Sequence, residues 1–314
     1  NYPKDLLELI IVDDFSDDNT ASIVKEFSQE GVRLLQLENL LVNNEMTVAY
    51  KKKAIEVGVQ NAKGSIIMTT DGDCRVGSDW IKTMVNIKLS TKAKLITGAV
   101  VMEGKNTRFQ NFQTLDFLGM MGITAAMLKM KIYNMANGAN LLYEKSAFEQ
   151  VNGFQGINHI SSGDDMLLIY KIAKEYDGAV TYAKHPKAIV YTNTAPTLQE
   201  FLQQRFRWTA KSKDYQDKRM TIILGTVFLF VTSIMVNAIL AFQFKVFMIM
   251  FSIQVISKCI VDYRLLKSTA NYYNRSELMR TFFSSQIFHV LYIVIVGSLG
   301  NILNFEWKGR SQIK

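Results

Sequence analysis

Ser65-Ile66-Ile67-Met68-Thr69-Thr70-Asp71-Gly72-Asp73 is the stretch whose reading decides the fold. Its apolar run, bounded by Gly64 and Gly72, reads as a buried strand ending in a turn. Asp71 and Asp73 then project from the end of a sheet, where open α/β folds bind their ligands. Two oxygen ligands at a strand end suit a hard divalent cation that also grips phosphates. A carboxylate pair this short recurs by chance, so its meaning depends on the rest of the chain.

Upstream, Leu9-Ile10-Ile11-Val12 is a second apolar run, ending at Asp13-Asp14. Ser16 to Thr20 is rich in helix N-cap residues, and Ile23, Val24 and Phe27 follow at helical spacing. Val32 to Leu37 reads as the next strand, and Lys51 to Ala62 as a helix with Ala54, Val57 and Gly58 on one face. Alternating strand and helix predicts a mostly parallel sheet with helices on both faces. Downstream, Leu95 to Met102 reads as a strand and Phe109 to Met130 as a long, apolar, Met-rich helix. Asn137 to Tyr143 reads as a turn and then a strand, and Ser146 to Val151 as a short helix closed by Gly153-Phe154. Asp164 and Asp165 open a helix, Ala188 to Tyr191 is a strand, and Thr197 to Lys213 is a helix.

The chain has 314 residues, 48% hydrophobic and 20% charged, which excludes a disordered polypeptide. Met220 to Phe244 and Thr281 to Phe305 contain no Asp, Glu, Lys or Arg. At about 1.5 Å per residue each can cross a hydrocarbon core about 30 Å thick. Between them Val246 to Ser257 is apolar, but Lys258 interrupts it. Buried helices of a large soluble domain are the alternative. The expected division is residues 1–219, a cytoplasmic domain, and residues 220–314, a region of two to three transmembrane helices with a basic tail.

Net charge is +8. Zinc-ligand spacings and aromatic-plus-basic RNA-binding strands are lacking, which argues against a nucleic-acid partner. Basic residues crowd Arg205 to Arg219 and Arg264 to Arg280, a pattern of cytoplasmic segments beside anionic lipid. Cys74 and Cys259 are read as unbridged, and His159, His185 and His289 as structural. The opening residues Asn1-Tyr2-Pro3-Lys4-Asp5 reach a strand at once, without a signal peptide, as in a piece lacking its natural beginning.

Four features carry chemistry, each with a plainer alternative. Val12-Asp13-Asp14 can accept hydrogen bonds from a base or ribose, or can cap the following helix. Asp71-Gly72-Asp73 is the second. Ser162-Gly163-Asp164-Asp165 places acids at a helix start, where they also complement the macrodipole. Gln204, Arg207 and Trp208 lie at i, i+3 and i+4 of one helix and share a face. A guanidinium there can grip a diphosphate, and an indole can stack on a sugar ring. The alternative is an amphipathic helix lying on a membrane.

Taken in order, Val-Asp-Asp, Asp-x-Asp, an acidic pair and Gln-x-x-Arg-Trp before membrane helices resemble the family 2 inverting glycosyltransferases. The similar branch is the membrane-bound one of cellulose synthase, hyaluronan synthase and ceramide glucosyltransferase. Asn137-Gly138, Gly153-Phe154 and Trp307-Lys308-Gly309-Arg310 match further segments of that family. The resemblance implies a nucleotide-diphospho-sugar transferase fold (GT-A-like) followed by C-terminal transmembrane helices. It implies that Asp14, supported by Asp13, contacts the uracil of a UDP-sugar and that Asp71 contacts its ribose or diphosphate. Asp73 would ligate Mg2+ or Mn2+, and Gln204 and Arg207 would hold the diphosphate. Asp165 would be the catalytic base with Asp164 beside it, and Trp208 would border the acceptor, a lipid or glycan. The third motif is Gly-Asp-Asp where the family more often has Glu-Asp, so Asp164 stays open as the base. The family's first strand, with its nucleotide-binding loop, is missing from these residues. Three crossings from a cytoplasmic domain would put Lys308, Arg310 and Lys314 outside, against the positive-inside tendency; the middle segment is the suspect one. Two rivals remain: a sugar-nucleotide pyrophosphorylase, and a non-catalytic membrane scaffold that kept the fold.

Overall fold

The computed structural model describes residues 1–40, 49–133, 135–157, 163–300, 302, 305–307 and 310–312. His159, Ser162, Lys308, Gly309 and Lys314 lie outside the described residues. In chain order the elements are β1 (Leu9–Asp13), α1 (Thr20–Glu26), β2 (Val32–Gln36), α2 (Leu37–Leu40), α3 (Tyr50–Asn61), β3 (Ile66–Thr69), β4 (Arg75–Val76), α4 (Trp80–Thr91), β5 (Leu95–Gly98), β6 (Val100–Glu103) and α5 (Arg108–Lys129). They continue with β7 (Leu141–Glu144), α6 (Lys145–Gln150), α7 (Asp164–Glu175), β8 (Val180–Ala183), β9 (Val190–Asn193), α8 (Leu198–Ala210), α9 (Lys218–Leu240), α10 (Lys245–Tyr272), α11 (Phe282–Leu299), β10 (Phe305–Trp307) and β11 (Arg310–Gln312). Two compact units result. One comprises Asn1–Gly72, Val76–Ala99 and Met135–Val190; the other comprises Asp73–Arg75, Val100–Asn134 and Tyr191–Lys314.

In the first unit β1 and β2 pair in parallel, and a four-stranded sheet has the order β3-β7-β5-β8. The expectation of a mostly parallel sheet is corrected here. β5 and β8 are parallel, but β7 runs antiparallel to both β3 and β5. The reason lies in the entry point. Leu141, the first residue of β7, pairs with Thr69, the last residue of β3. The turn before β7 is therefore delivered to the strand end that leads into Asp71. Leu95, Ile96, Leu142, Leu168, Ile169 and Ile172 make the buried centre, from two strands and α7. β8 and α4 escaped the sequence reading.

The single strand expected over Leu95 to Met102 is two strands in different sheets, broken at Ala99. Asn140 explains the break. Its amide donates to the carbonyls of Ala99 (2.8 Å) and Ala188 (2.7 Å), and its oxygen accepts from the Trp80 indole at 3.1 Å. A Cβ on Gly98 would stand 2.4 Å from that amide, so only glycine admits it. Every polar atom of this fully buried side chain is satisfied, as burial demands.

In the second unit α5 lies among the C-terminal helices. Cβ atoms on Gly119 and Gly122 would stand 2.9 Å from Leu266 and 2.4 Å from Thr269, so these glycines let α5 approach α10 closely. Gly297 of α11 does the same for Phe228 of α9, at 2.4 Å. Between α9 and α10, Asn237 donates to Gln254, which donates to Ser233, both at 2.8 Å. Lys258, deep in α10, donates to Asp262 and to Gln286 of α11. Such polar pairs meet inside helical bundles because lipid offers them no partner.

Among the described residues, three helices are long and apolar enough to cross a membrane: Lys218–Leu240, Lys245–Tyr272 and Ser276–Leu299. The middle one is continuous through Lys258, whose charge is met by Asp262. Ile222, Leu229, Ile239, Ile249, Ile253 and Phe283 are exposed on these helices, an apolar surface that suits lipid rather than water.

Candidate functional site

The first unit gathers three of the expected acids around one lysine. α3 presents Lys51 in its first turn, and its Nζ donates to Asp71 Oδ1 at 2.7 Å. The same nitrogen lies 3.6 Å from Asp164 Oδ2. Asp165 follows on α7 and accepts from the backbone N–H of Gly138 (3.1 Å) and of Met166 (2.7 Å). Gly138 belongs to the turn before β7, and its carbonyl accepts from Thr69 Oγ1 at 2.8 Å. The antiparallel entry of β7 thus ties the end of β3 to the start of α7.

Gly138 is the seam. A Cβ there would stand 2.9 Å from Asp164 Oδ2, 3.4 Å from Lys51 Nζ and 3.7 Å from Asp165 Cβ. Gly163, just before α7, has φ +81°, a backbone conformation that favours glycine. Burial would push the Lys51 ammonium down. The charges of Asp164 and Asp71, the Asp71 hydrogen bond and Asp165 outweigh it, and hold Lys51 above the usual lysine range. Tyr143 on β7 is pushed up, by burial first and then by Asp164, so its hydroxyl stays neutral. Lys51 was not legible in the sequence. It is one of three consecutive lysines, and its neighbour Lys52 donates elsewhere, to the Ile157 carbonyl at 2.7 Å.

Asp13 ends β1, is buried, and accepts from the Ser16 N–H at 3.1 Å. This is a turn contact and not the helix cap of the plainer reading: α1 begins at Thr20, with Asn19 at its N-cap position. Asp14 follows, half-buried, and Phe15 takes a positive φ of 57°. The Phe15 ring meets Tyr50 edge-on at 5.7 Å, which brings the acidic turn to the start of α3, next to Lys51.

Asp71, Gly72, Asp73 and Cys74 are consecutive. One ligand atom from each of Asp71, Asp73 and Cys74 lies within 4.8 Å of the others. The two carboxylate oxygens fit Mg2+ or Mn2+, while the thiol is too soft to be a favoured ligand of either. The Asp71 oxygen Oδ1 already accepts from Lys51. Cys74 and Cys259 form no disulfide. His185 is structural, its ring nitrogen accepting from the Lys187 N–H at 3.1 Å.

The second unit holds Gln204, Arg207 and Trp208 on α8, all half-buried. Their helix turns a different face inward: Phe201, Arg205 and Phe206 are its buried residues. Trp208 lies between the Arg205 guanidinium, 4.3 Å from its ring, and Phe117 of α5, 5.7 Å away and tilted 32°. Arg205 pairs with Asp116 of α5 at 3.0 Å. Asp116 did not figure in the sequence reading, and Arg205 figured only as one of the basic residues near the apolar segments. The available signals were an arginine in the apolar stripe Phe201, Arg205, Trp208, and a lone acid in the apolar run Phe109 to Met130.

Residues 1–151 match the model of the family described as Glycosyl transferase family 2. The chain is 25% identical over 285 residues to a poly-beta-1,6-N-acetyl-D-glucosamine synthase of Staphylococcus epidermidis, covering 90% of this chain and 65% of that protein. It is 26% identical over 211 residues to glycosyltransferase AglE of Haloferax volcanii, covering 66% of this chain and 62% of that protein. The chain therefore spans somewhat under two thirds of the length of these relatives. Among solved structures it resembles S. aureus TarS 1-349 in complex with UDP-GlcNAc, at 12% identity and a TM-score of 0.46, over 100% of this chain and 89% of that one.

Proposed function

We propose, from the family 2 glycosyltransferase domain that this chain carries, that it is a membrane-anchored inverting transferase. It moves a sugar from a nucleotide-diphosphate donor, a UDP-sugar, to a hydroxyl of a lipid or glycan acceptor. The likeness to a poly-beta-1,6-N-acetyl-D-glucosamine synthase supports a glycan. One observation carries the reading: Asp71, Asp164 and Asp165 gather with Lys51 where β3 ends.

The acceptor oxygen bonds to the anomeric carbon as the bond from that carbon to the phosphate oxygen breaks on the opposite face. The electron pair leaves with UDP, and the configuration inverts, as in inverting hydrolysis with a hydroxyl in place of water. Asp165 takes the hydroxyl proton. Its two backbone bonds, from Gly138 and Met166, fix the carboxylate's orientation. Asp164, paired with Lys51, stays beside it. Asp14 and Asp13 serve the uracil, Asp71 the ribose or diphosphate, Gln204 and Arg207 the diphosphate, and Trp208 the acceptor. Asp73 would hold Mg2+ or Mn2+, which would supply positive charge to neutralise the departing diphosphate.

The catalytic domain faces the cytoplasm. α9 and α10 run in succession through a short connection, so the start of α9 and the end of α10 share one side of a membrane. Both ends are basic: Lys218 and Arg219, then Arg264, Lys267, Arg275 and Arg280. The positive-inside tendency assigns that side to the cytoplasm.

The test is Asp165→Asn in the full chain, assayed with a panel of UDP-sugars and membrane lipid extracts. Transfer is expected to vanish while UDP binding persists. Near-normal turnover would remove Asp165 as the base.

A further inference from the structure

In the second unit α5, α8 and α11 meet at one buried carboxylate. Asp116 Oδ2 accepts from Arg205 at 3.0 Å, and Oδ1 accepts from the Tyr292 hydroxyl at 2.9 Å. The Asp116 and Arg205 side chains are 5% and 4% exposed. His289 Nε2 stands 3.9 Å from Oδ1. Aromatic rings enclose the guanidinium: Trp208 at 4.3 Å, Phe201 at 4.8 Å and Tyr292 at 5.8 Å.

Stability gives little reason for such an arrangement. A buried ion pair is often no better than well-packed apolar residues of the same volume. What it provides is one geometry. The guanidinium fork and the tyrosine hydroxyl accept few alternatives, whereas apolar side chains slide. The residue so held is Arg205, one position after Gln204, two before Arg207, and stacked on Trp208.

We propose that Asp116 is a positioning residue for sugar transfer. It anchors Arg205, and through Arg205 it sets the indole of Trp208 and the rotational phase of α8, hence the directions in which Gln204 and Arg207 point. Tyr292 references the same carboxylate to α11, one of the three apolar helices. This rests on the reading above that Gln204, Arg207 and Trp208 serve the transfer.

The experiment compares the full-length protein in lipid nanodiscs with Asp116→Asn, Asp116→Glu and the apolar pair Asp116→Leu/Arg205→Met. Four quantities are read: kcat, donor KM, Tm, and the emission of Trp208, taken as the difference from Trp208→Phe in each background. Misplacing a reacting group by about 1 Å costs about 100-fold. Asp116→Asn should therefore lower kcat about 10- to 100-fold with donor KM within about twofold, and shift the Trp208 emission. Asp116→Glu, which keeps the charge, should restore most of kcat. The apolar pair should melt at or above the wild-type temperature yet turn over as slowly as Asp116→Asn. Wild-type kcat in either Asp116→Asn or the apolar pair would overturn the proposal, leaving Asp116 as packing alone. If the unmodified protein transfers no sugar, the transferase reading fails by itself. The emission then decides the clamp: an unchanged Trp208 signal in Asp116→Asn overturns it, and a shifted one supports it.

Discussion

Replacing Lys51 with Met removes the cation between Asp71 and Asp164 and tests whether it competes with a metal. At the 2.7 Å separation from Asp71, opposite unit charges attract by about 1.5 kcal/mol at the permittivity of water and about 6 kcal/mol at an effective value near 20. The Lys51 and Asp71 side chains are 45% and 39% exposed, so the screened figure applies. Asp164, at 3.6 Å, adds about 1 kcal/mol on the same footing. Ordering a lysine side chain costs about 1.5 kcal/mol. The net loss of stability in Lys51→Met is then about 1 kcal/mol. The effect on metal binding is larger than this suggests, because the Asp71 oxygen is freed from its rival. Release from about 1.5 kcal/mol corresponds to about tenfold tighter binding. The assay is Mn2+ titration without nucleotide, with free ion followed by electron paramagnetic resonance. Lys51→Met should bind Mn2+ about tenfold more tightly. Unchanged or weaker binding would refute the competition. The pH dependence has a definite sign. Lys51 is held above its unfolded value, so its contribution is complete below about 10.4 and fades only as pH rises through the higher folded value. The difference between wild type and Lys51→Met should be flat from neutral to mildly alkaline pH. A difference that disappears by about pH 9 would contradict the charge cluster.

Gly138→Ala drives a methyl group to 2.9 Å from Asp164 and 3.4 Å from Lys51. Overpacking of this kind costs about 1–3 kcal/mol. Denaturation should show that loss together with reduced transfer per folded molecule; full activity would mean the seam is not part of the site. Gly72→Ala is the opposite case, since a Cβ there meets nothing within 4 Å and no unusual φ is required. Stability should stay within about 0.5 kcal/mol, while UDP affinity falls because the methyl group enters space the donor needs. Wild-type UDP affinity in that variant would remove the Gly72 turn from the donor site.

How much of this was legible follows from what each signal encodes. The strand ends bearing Asp13, Asp14 and Asp71, and the start of α7 at Asp164 and Asp165, were legible because apolar runs and N-terminal acids are local patterns. The apolar C-terminal helices were legible for the same reason. Pairing direction was not. Nothing within Leu141–Glu144 says that it enters beside Thr69 and runs backwards, because that depends on where the preceding chain arrives. The break at Ala99 was equally hidden. Its cause is Asn140, distant in sequence, whose amide needs the space left by Gly98.

The same distinction separates the residues found from those missed. Asp71 and Asp165 belong to types and spacings that stand out in a list of letters. Lys51 and Asp116 do not, since each acquires its meaning from a partner far along the chain: Asp164 for one, Arg205 for the other. A single charge in such a position costs free energy unless it is met, so its presence in a folded chain implies its counterpart. Asp116 within an apolar helix and Arg205 within an apolar stripe could therefore have been matched to each other by elimination. Both sit where an unpaired charge would be expelled, and each offers the sign the other requires. Lys51 offers no such clue, because a half-exposed lysine can remain in water. Its pairing with Asp71 and Asp164 follows only once β3, α3 and α7 are placed together.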